Sequence, residues 1–463
     1  MLLTALPLVG LLLWVFARHC GIAIGLLLGT QVWVVVAGGQ TAALDIGVSV
    51  YPTDVLDLCA MCVAMARVPR RGLIAHKALL ALLALVVLTT WSTLRGIAAF
   101  GLEPAGNDSR IAFWHFLAIT LYLATAPLNV SLTRAAVKAW LAAAAAYALF
   151  SVVGWMDRGL HSVTTRVAVD GVTVDPRPVP AAAALVLAQA AVLWWLWPSD
   201  ASSAGQPTPG SSAAGGLAGA RRGLGRYVPA CLFLILVVLL QHRSVWVATA
   251  AMALACWVLP SARAGKRWVS ASAGALALAL AALLYSAGAF GAIGGSLTAS
   301  LQETQSTRST FAWRMLGWQD LLDAPRTVVQ WMVGAPFGSG YERFIGGGLV
   351  TVSPHDYYLH VVLRVGLVGL LALLVVYVQT WRALTRGGRA TLALRIVMVG
   401  QLVLFVTYSA FPEQAVLLGL CVWQGRLLAA GRAQRAQMPG GDDLLVRPVP
   451  SRQNPDPATA ART

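Results

Sequence analysis

The sequence predicts an all-α, polytopic integral membrane protein with about twelve or thirteen transmembrane helices and one large outer loop. Three observations carry that reading. First, hydrophobic residues make up 58% of the 463 and charged residues only 11%, with a mean hydropathy of +0.71. A soluble globular chain carries about 25% charge, so a water-facing protein of this size is excluded, as is a disordered, fibrous or nucleic-acid-packaging one. Second, apolar runs near the ~20 residues that cross a bilayer recur along the chain. Third, the loops between them sort by charge.

In chain order the candidate spans lie near 2–16, 21–37, 55–66, 75–91, 111–126, 134–153, 179–197, 228–241, 244–259, 268–290, 358–378, 393–411 and 415–430. The first run does not read as a signal peptide, because Arg18 follows the apolar stretch and no basic segment precedes it. These spans divide the chain into N-terminal helices (1–198), a flexible linker (199–227), helices with an Arg-bearing hairpin (228–290), a large outer loop (291–357), C-terminal helices (358–430) and a loose tail (431–463). The linker rests on a Ser/Gly/Ala/Pro-rich composition without apolar period. The tail is polar and contains Pro and Arg.

One set of loops and the tail hold 23 of the 34 basic residues and four of the 18 acids; the other set holds 11 arginines and 14 acids. The basic side is cytoplasmic by the positive-inside rule. The net charge of +16 is therefore mostly a topological address and not a nucleic-acid footprint. All six cysteines fall in or beside apolar runs, and Cys59-x-x-Cys62 lies inside one, so packing outweighs a redox or metal role.

The outer side carries the residues with chemical promise. Arg243 sits in Gln241-His242-Arg243-Ser244, at the tip that two short apolar runs force between two basic segments. Arg314 stands four residues before Trp318 in a weakly amphipathic stretch, Phe311 to Leu322. Arg364 lies within an apolar helix. Arginine near membrane depth is costly and is usually functional or paired, and its planar fork matches phosphate oxygens. The bland readings are snorkelling to headgroups or an ion pair with an outer acid. His355 stands in Ser353-Pro354-His355-Asp356-Tyr357-Tyr358-Leu359-His360, where Pro354 fits a helix start and His355 its first turn. A histidine there suits a general base, whereas His360 reads as a packing residue. Asp54 and Asp57 offer an unsupported cation site. No P-loop, H-E-x-x-H or D-x-D is present, so no metal or cofactor is assigned.

In order, His242-Arg243-Ser244, Arg314-x-x-x-Trp318, Gly338-x-Gly340-Tyr341, His355-Asp356-Tyr357-Tyr358-Leu359 and Arg364-Val-Gly366-x-x-Gly369 resemble the O-antigen ligase and O-antigen polymerase superfamily of bacterial envelope glycosyltransferases. The motif-bearing region runs from about 230 to 411. The resemblance implies about twelve helices, a large periplasmic loop and an inner-membrane location. It implies a donor glycan linked to undecaprenyl diphosphate, transferred at the periplasmic face within lipopolysaccharide biosynthesis. The acceptor is lipid A-core in a ligase, or a second lipid-linked glycan in a polymerase. The partners are these lipids, with no nucleic acid, nucleotide sugar or metal. Carried over, His355 is the base that activates the acceptor hydroxyl, with inversion at the anomeric centre. Arg243 and Arg314 hold the diphosphate, and Arg364 and Tyr358 contact substrate. Many such proteins carry an acid where Arg364 stands. A transporter or flippase is a weaker reading, since no inverted repeat is visible.

Overall fold

A computed structural model describes residues 2–39, 42, 44–45, 49–69, 76–158, 167–169, 172–174, 177–197, 228–259, 310–345 and 348–436. The predicted span at 268–290, the first part of the large loop, the linker 199–227 and nearly all of the tail lie outside the described residues, as does most of the 159–176 loop.

The protein is an all-α membrane protein. Its helices are α1 (Leu2–Arg18), α2 (Cys20–Val36), α3 (Pro52–Arg67), α4 (Lys77–Phe100), α5 (Leu102–Ser109), α6 (Phe116–Ala124), α7 (Val130–Arg158), α8 (Ala181–Leu196), α9 (Val228–Leu239), α10 (Arg243–Val258), α11 (Thr310–Asp323), α12 (Val328–Val333), α13 (Tyr357–Leu384), α14 (Arg389–Leu404) and α15 (Pro412–Ala436). A π-turn, Arg110–His115, joins α5 to α6. Among the described residues, three short antiparallel ribbons sit in loops: β1 (Leu44–Asp45) with β2 (Ser49–Val50), β3 (Val167–Val169) with β4 (Val172–Val174), and β5 (Arg343–Ile345) with β6 (Gly348–Val350).

Helices thus occupy every predicted span among the described residues. Four of them, α4, α7, α13 and α15, are each long and apolar enough to cross a membrane. The first two helices meet that test only as a pair bent by 120°, a broken span or a re-entrant loop rather than two independent crossings. The apolar α8, α9 and α10 are shorter.

The two charge sets keep apart in space. Arg67 donates to the Phe16 and Ala17 carbonyls at the end of α1, and Arg389 to the Trp195 carbonyl at the end of α8. Arg426 bonds the Ala124 and Ala126 carbonyls at the end of α6. Each places a cation on unpaired carbonyls at the negative end of a helix dipole. Among the described arginines of the other set, Arg110 pairs with Asp54 at the start of α3 and Arg314 donates to the Thr407 carbonyl in the α14–α15 connection.

α13 is broken at Gly366, whose φ of 79° is open to glycine at little cost. Gly334, at φ 76°, approaches the break so closely that a Cβ there would lie 2.2 Å from the Arg364 carbonyl carbon. The break frees backbone carbonyls, and in lipid these need partners. The Ala335 amide donates to the Leu363 carbonyl at 2.8 Å, and the Ser92 hydroxyl to the Arg364 carbonyl at 2.7 Å. α4, the loop after α12 and α13 are thereby tied together beneath the site.

Candidate active site

A cavity of about 680 Å³ opens between the π-turn, the loop after α12, the start of α13 and the α14–α15 connection. Its wall includes Asp108, Tyr341, His355, His360, Tyr408 and Ser409.

His355 is open to this cavity. The helix start differs from the expected one. Asp356 is the N-cap of α13, accepting from the Leu359 amide at 3.0 Å, and His355 precedes it instead of occupying the first turn. A carboxylate is a strong N-cap, and it prevails here over Pro354 as a helix start. The His355 ring stands 6.3 Å from that of Tyr408. Arg314, on α11, packs on the same ring: its guanidinium carbon is 5.2 Å from the Tyr408 ring, and it donates to the Thr407 carbonyl at 3.1 Å. Partial burial lowers the His355 pKa, and the positive charges of Arg314 and Arg343 lower it further. Arg343 is itself buried, donating to the Tyr341 and Val352 carbonyls across the β5–β6 ribbon. Each of these causes favours the neutral form of His355, the form that accepts a proton.

Arg364 is 2% exposed, and its donors are directed into the protein. Nε lies 2.7 Å from Asp108 Oδ2 and 2.8 Å from the Tyr341 hydroxyl. The two Nη groups reach the Ser339 hydroxyl and the Pro336 and Gly340 carbonyls. Tyr341 donates to Asp108 Oδ1 at 2.6 Å, and the Gly338 amide to Oδ2 at 2.9 Å. Burial pushes the Asp108 carboxyl up, but His360, Arg364, Tyr341 and Gly338 together outweigh it, and its pKa is lowered. Of the two readings open to Arg364, the ion pair with an outer acid is the one the geometry displays.

The other expected residues stand elsewhere. Tyr358 donates to the Leu402 carbonyl at 2.9 Å and does not line the cavity. Arg243 opens α10 beside a second cavity of about 450 Å³, which His242 and Arg177 line. His242 Nδ1 is 3.3 Å from Arg177 and Nε2 is 2.9 Å from the Val179 carbonyl. Burial first, and Arg177 next, push the His242 pKa down to about 4. The two cavities share Pro180 in their walls. Asp54 is taken up by His115 at 2.7 Å and by Arg110 at 3.6 Å, and Asp57 faces His115 at 3.4 Å. Among the described residues no group of three or more His, Cys, Asp or Glu could hold a metal ion.

Sequence reading missed Asp108, Ser409 and the importance of His360. Asp108 is an acid at the end of the short helix α5, and only a contact with α13 distinguishes it from other outer acids. His360 lies on the buried face of an apolar helix, a pattern that packing explains equally well.

Residues 228–374 match the protein family Wzy_C, described as O-antigen ligase. This segment holds Arg243, Arg314, His355 and Arg364. No curated protein matches the chain.

Proposed function

We propose, from the match of residues 228–374 to the O-antigen ligase family Wzy_C, that the protein is an O-antigen ligase-like glycosyltransferase of the inner membrane. In this reading it moves a glycan from undecaprenyl diphosphate to a hydroxyl of lipid A-core at the periplasmic face. The observation that carries the reading is the cavity lined by His355 and Tyr408, with the Arg314 cation packed on the same Tyr408 ring.

The chemistry follows from those groups. His355 takes the proton of the acceptor hydroxyl as its oxygen bonds to the anomeric carbon. The bond from that carbon to the diphosphate oxygen breaks, and the electron pair leaves with the diphosphate. Attack from the face opposite the leaving group inverts the centre. The diphosphate is a good leaving group without a proton, so its developing charge calls for fixed cations. Arg314 supplies one near His355, and Arg243, beside the adjoining cavity, is proposed to supply another.

A polymerase uses the same cavity and the same groups with a second lipid-linked glycan as acceptor. Purified protein is given undecaprenyl-diphosphate-linked glycan with or without lipid A-core, and the products are separated by mass and anomeric NMR. Transfer that needs lipid A-core supports ligation; chain growth from donor alone supports polymerisation. No transfer in either arm defeats the proposal.

A further inference from the structure

A chain of polar groups runs from the buried charge pair to the cavity surface, and its proton positions are fixed from the buried end. Arg364 can only donate. Asp108, holding Arg364 and the Gly338 amide on Oδ2, is an anion and can only accept. The single Tyr341 proton therefore goes to Asp108 Oδ1, at 2.6 Å. The phenol oxygen then has only lone pairs left for His360 Nε2, at 2.5 Å, so that nitrogen must carry a hydrogen. Arg364 already matches the Asp108 charge, and a second cation on His360, itself 2% exposed, would stand without an anion of its own. His360 is therefore neutral, and its Nδ1 bears a lone pair. Ser409 Oγ lies 3.4 Å from that Nδ1 and lines the cavity. Its hydroxyl hydrogen turns inward to His360, which leaves its oxygen lone pairs facing the cavity.

We propose that Ser409, oriented through the His360–Tyr341–Asp108 chain, is a positioning and specificity residue that accepts a hydrogen bond from a sugar hydroxyl of the glycan acceptor. A neutral hydroxyl is ordinarily ambivalent, able to turn its hydrogen either way. Here the direction is set by a charge pair buried behind it. The subsite therefore selects a ligand group that donates, a free hydroxyl, over one that only accepts, such as an ether or an esterified position. This inference rests on the glycosyl-transfer reading for the identity of its ligand, but the hydrogen-bond direction does not.

Two measurements on the full-length protein in lipid nanodiscs test it. The first is ¹⁵N NMR of histidine-labelled protein, with the His360 signals assigned by their loss in His360→Gln. His360 should show a protonated Nε2 and an unprotonated Nδ1, and the Nδ1 signal should move in Ser409→Ala. A proton on Nδ1, or an Nδ1 signal indifferent to Ser409→Ala, overturns the chain. The second is steady-state transfer from undecaprenyl-diphosphate-linked glycan to lipid A-core. Ser409→Ala should raise the acceptor KM about five- to tenfold, the worth of one neutral hydrogen bond. The donor KM should hold steady, and Ser409→Thr, which keeps the hydroxyl, should recover most of the loss. An acceptor KM unchanged in Ser409→Ala overturns the subsite. If wild-type protein transfers nothing, the functional reading falls, and the tautomer measurement still decides whether Ser409 is oriented as stated.

Discussion

Arg364 Nε stands 2.7 Å from Asp108 Oδ2, joining the broken helix α13 to the end of α5 behind the cavity. The Arg364 side chain is 2% exposed and that of Asp108 10% exposed, so each is the other's principal counter-charge. Removing one partner of such a pair leaves an uncompensated buried charge. Arg364→Met and Asp108→Asn should each cost about 3–5 kcal/mol of stability. The double variant should lose clearly less than the sum. Arg364→Lys should recover little, because one ammonium cannot reach the Ser339, Gly340, Tyr341 and Asp108 oxygens together. Unfolding midpoints in detergent for the wild type and the four variants check this; additive losses would mean that the two residues act separately.

His355→Ala should lower turnover by about a hundredfold or more while donor binding holds. His355→Gln, which keeps a hydrogen bond but takes no proton, should be nearly as slow. Recovery of most of the activity in the Gln variant would instead assign His355 a loop-shaping role.

The pH profile carries a sign. A base works when neutral, so activity is lost as pH falls through the His355 pKa. That pKa is lowered, so the acid limb should lie below the ~6.5 of a free histidine. Arg314→Lys keeps the charge and should leave the limb in place. Arg314→Ala removes one of the charges that depress the pKa, so whatever activity remains should show a limb displaced upward. Rate against pH for the three proteins decides it, and an unmoved limb in the Ala variant would separate Arg314 from His355.

Arg243→Ala and Arg314→Ala should both cut transfer strongly, to a small but measurable residual rate, with normal membrane insertion, and Lys should rescue poorly at either position because it lacks the bidentate fork. Full complementation by both Ala variants would remove the diphosphate clamp from the mechanism. Activity lost only in Arg314→Ala would confine the clamp to the cavity that His355 lines.

Orientation is open to a direct test. In a cysteine-free background, Val352→Cys should react with a membrane-impermeant maleimide from the periplasmic side, and Thr385→Cys at the far end of α13 should not. The reverse pattern would place the cavity on the cytoplasmic side and end the proposal of periplasmic transfer.

The class of this protein was legible without coordinates because the cause is local. A bilayer imposes its thickness on every crossing segment, so runs of apolar residues and the sorting of arginine between loops are written one span at a time. His355 and Arg314 were legible for a related reason: each is a polar group in an apolar setting, which costs energy and calls for an explanation. What they touch was not legible. Asp108 and Arg364 lie in distant parts of the chain, and nothing near either one names the other. The break at Gly366 is compensated by Ala335 and Ser92, again from other segments. The direction of the Ser409 hydroxyl depends on two residues, His360 and Tyr341, between it and a buried charge pair. Composition and periodicity record how each segment meets its solvent. Hydrogen bonds and ion pairs inside the bundle depend on distances of about 3 Å between segments, and only the tertiary packing sets those.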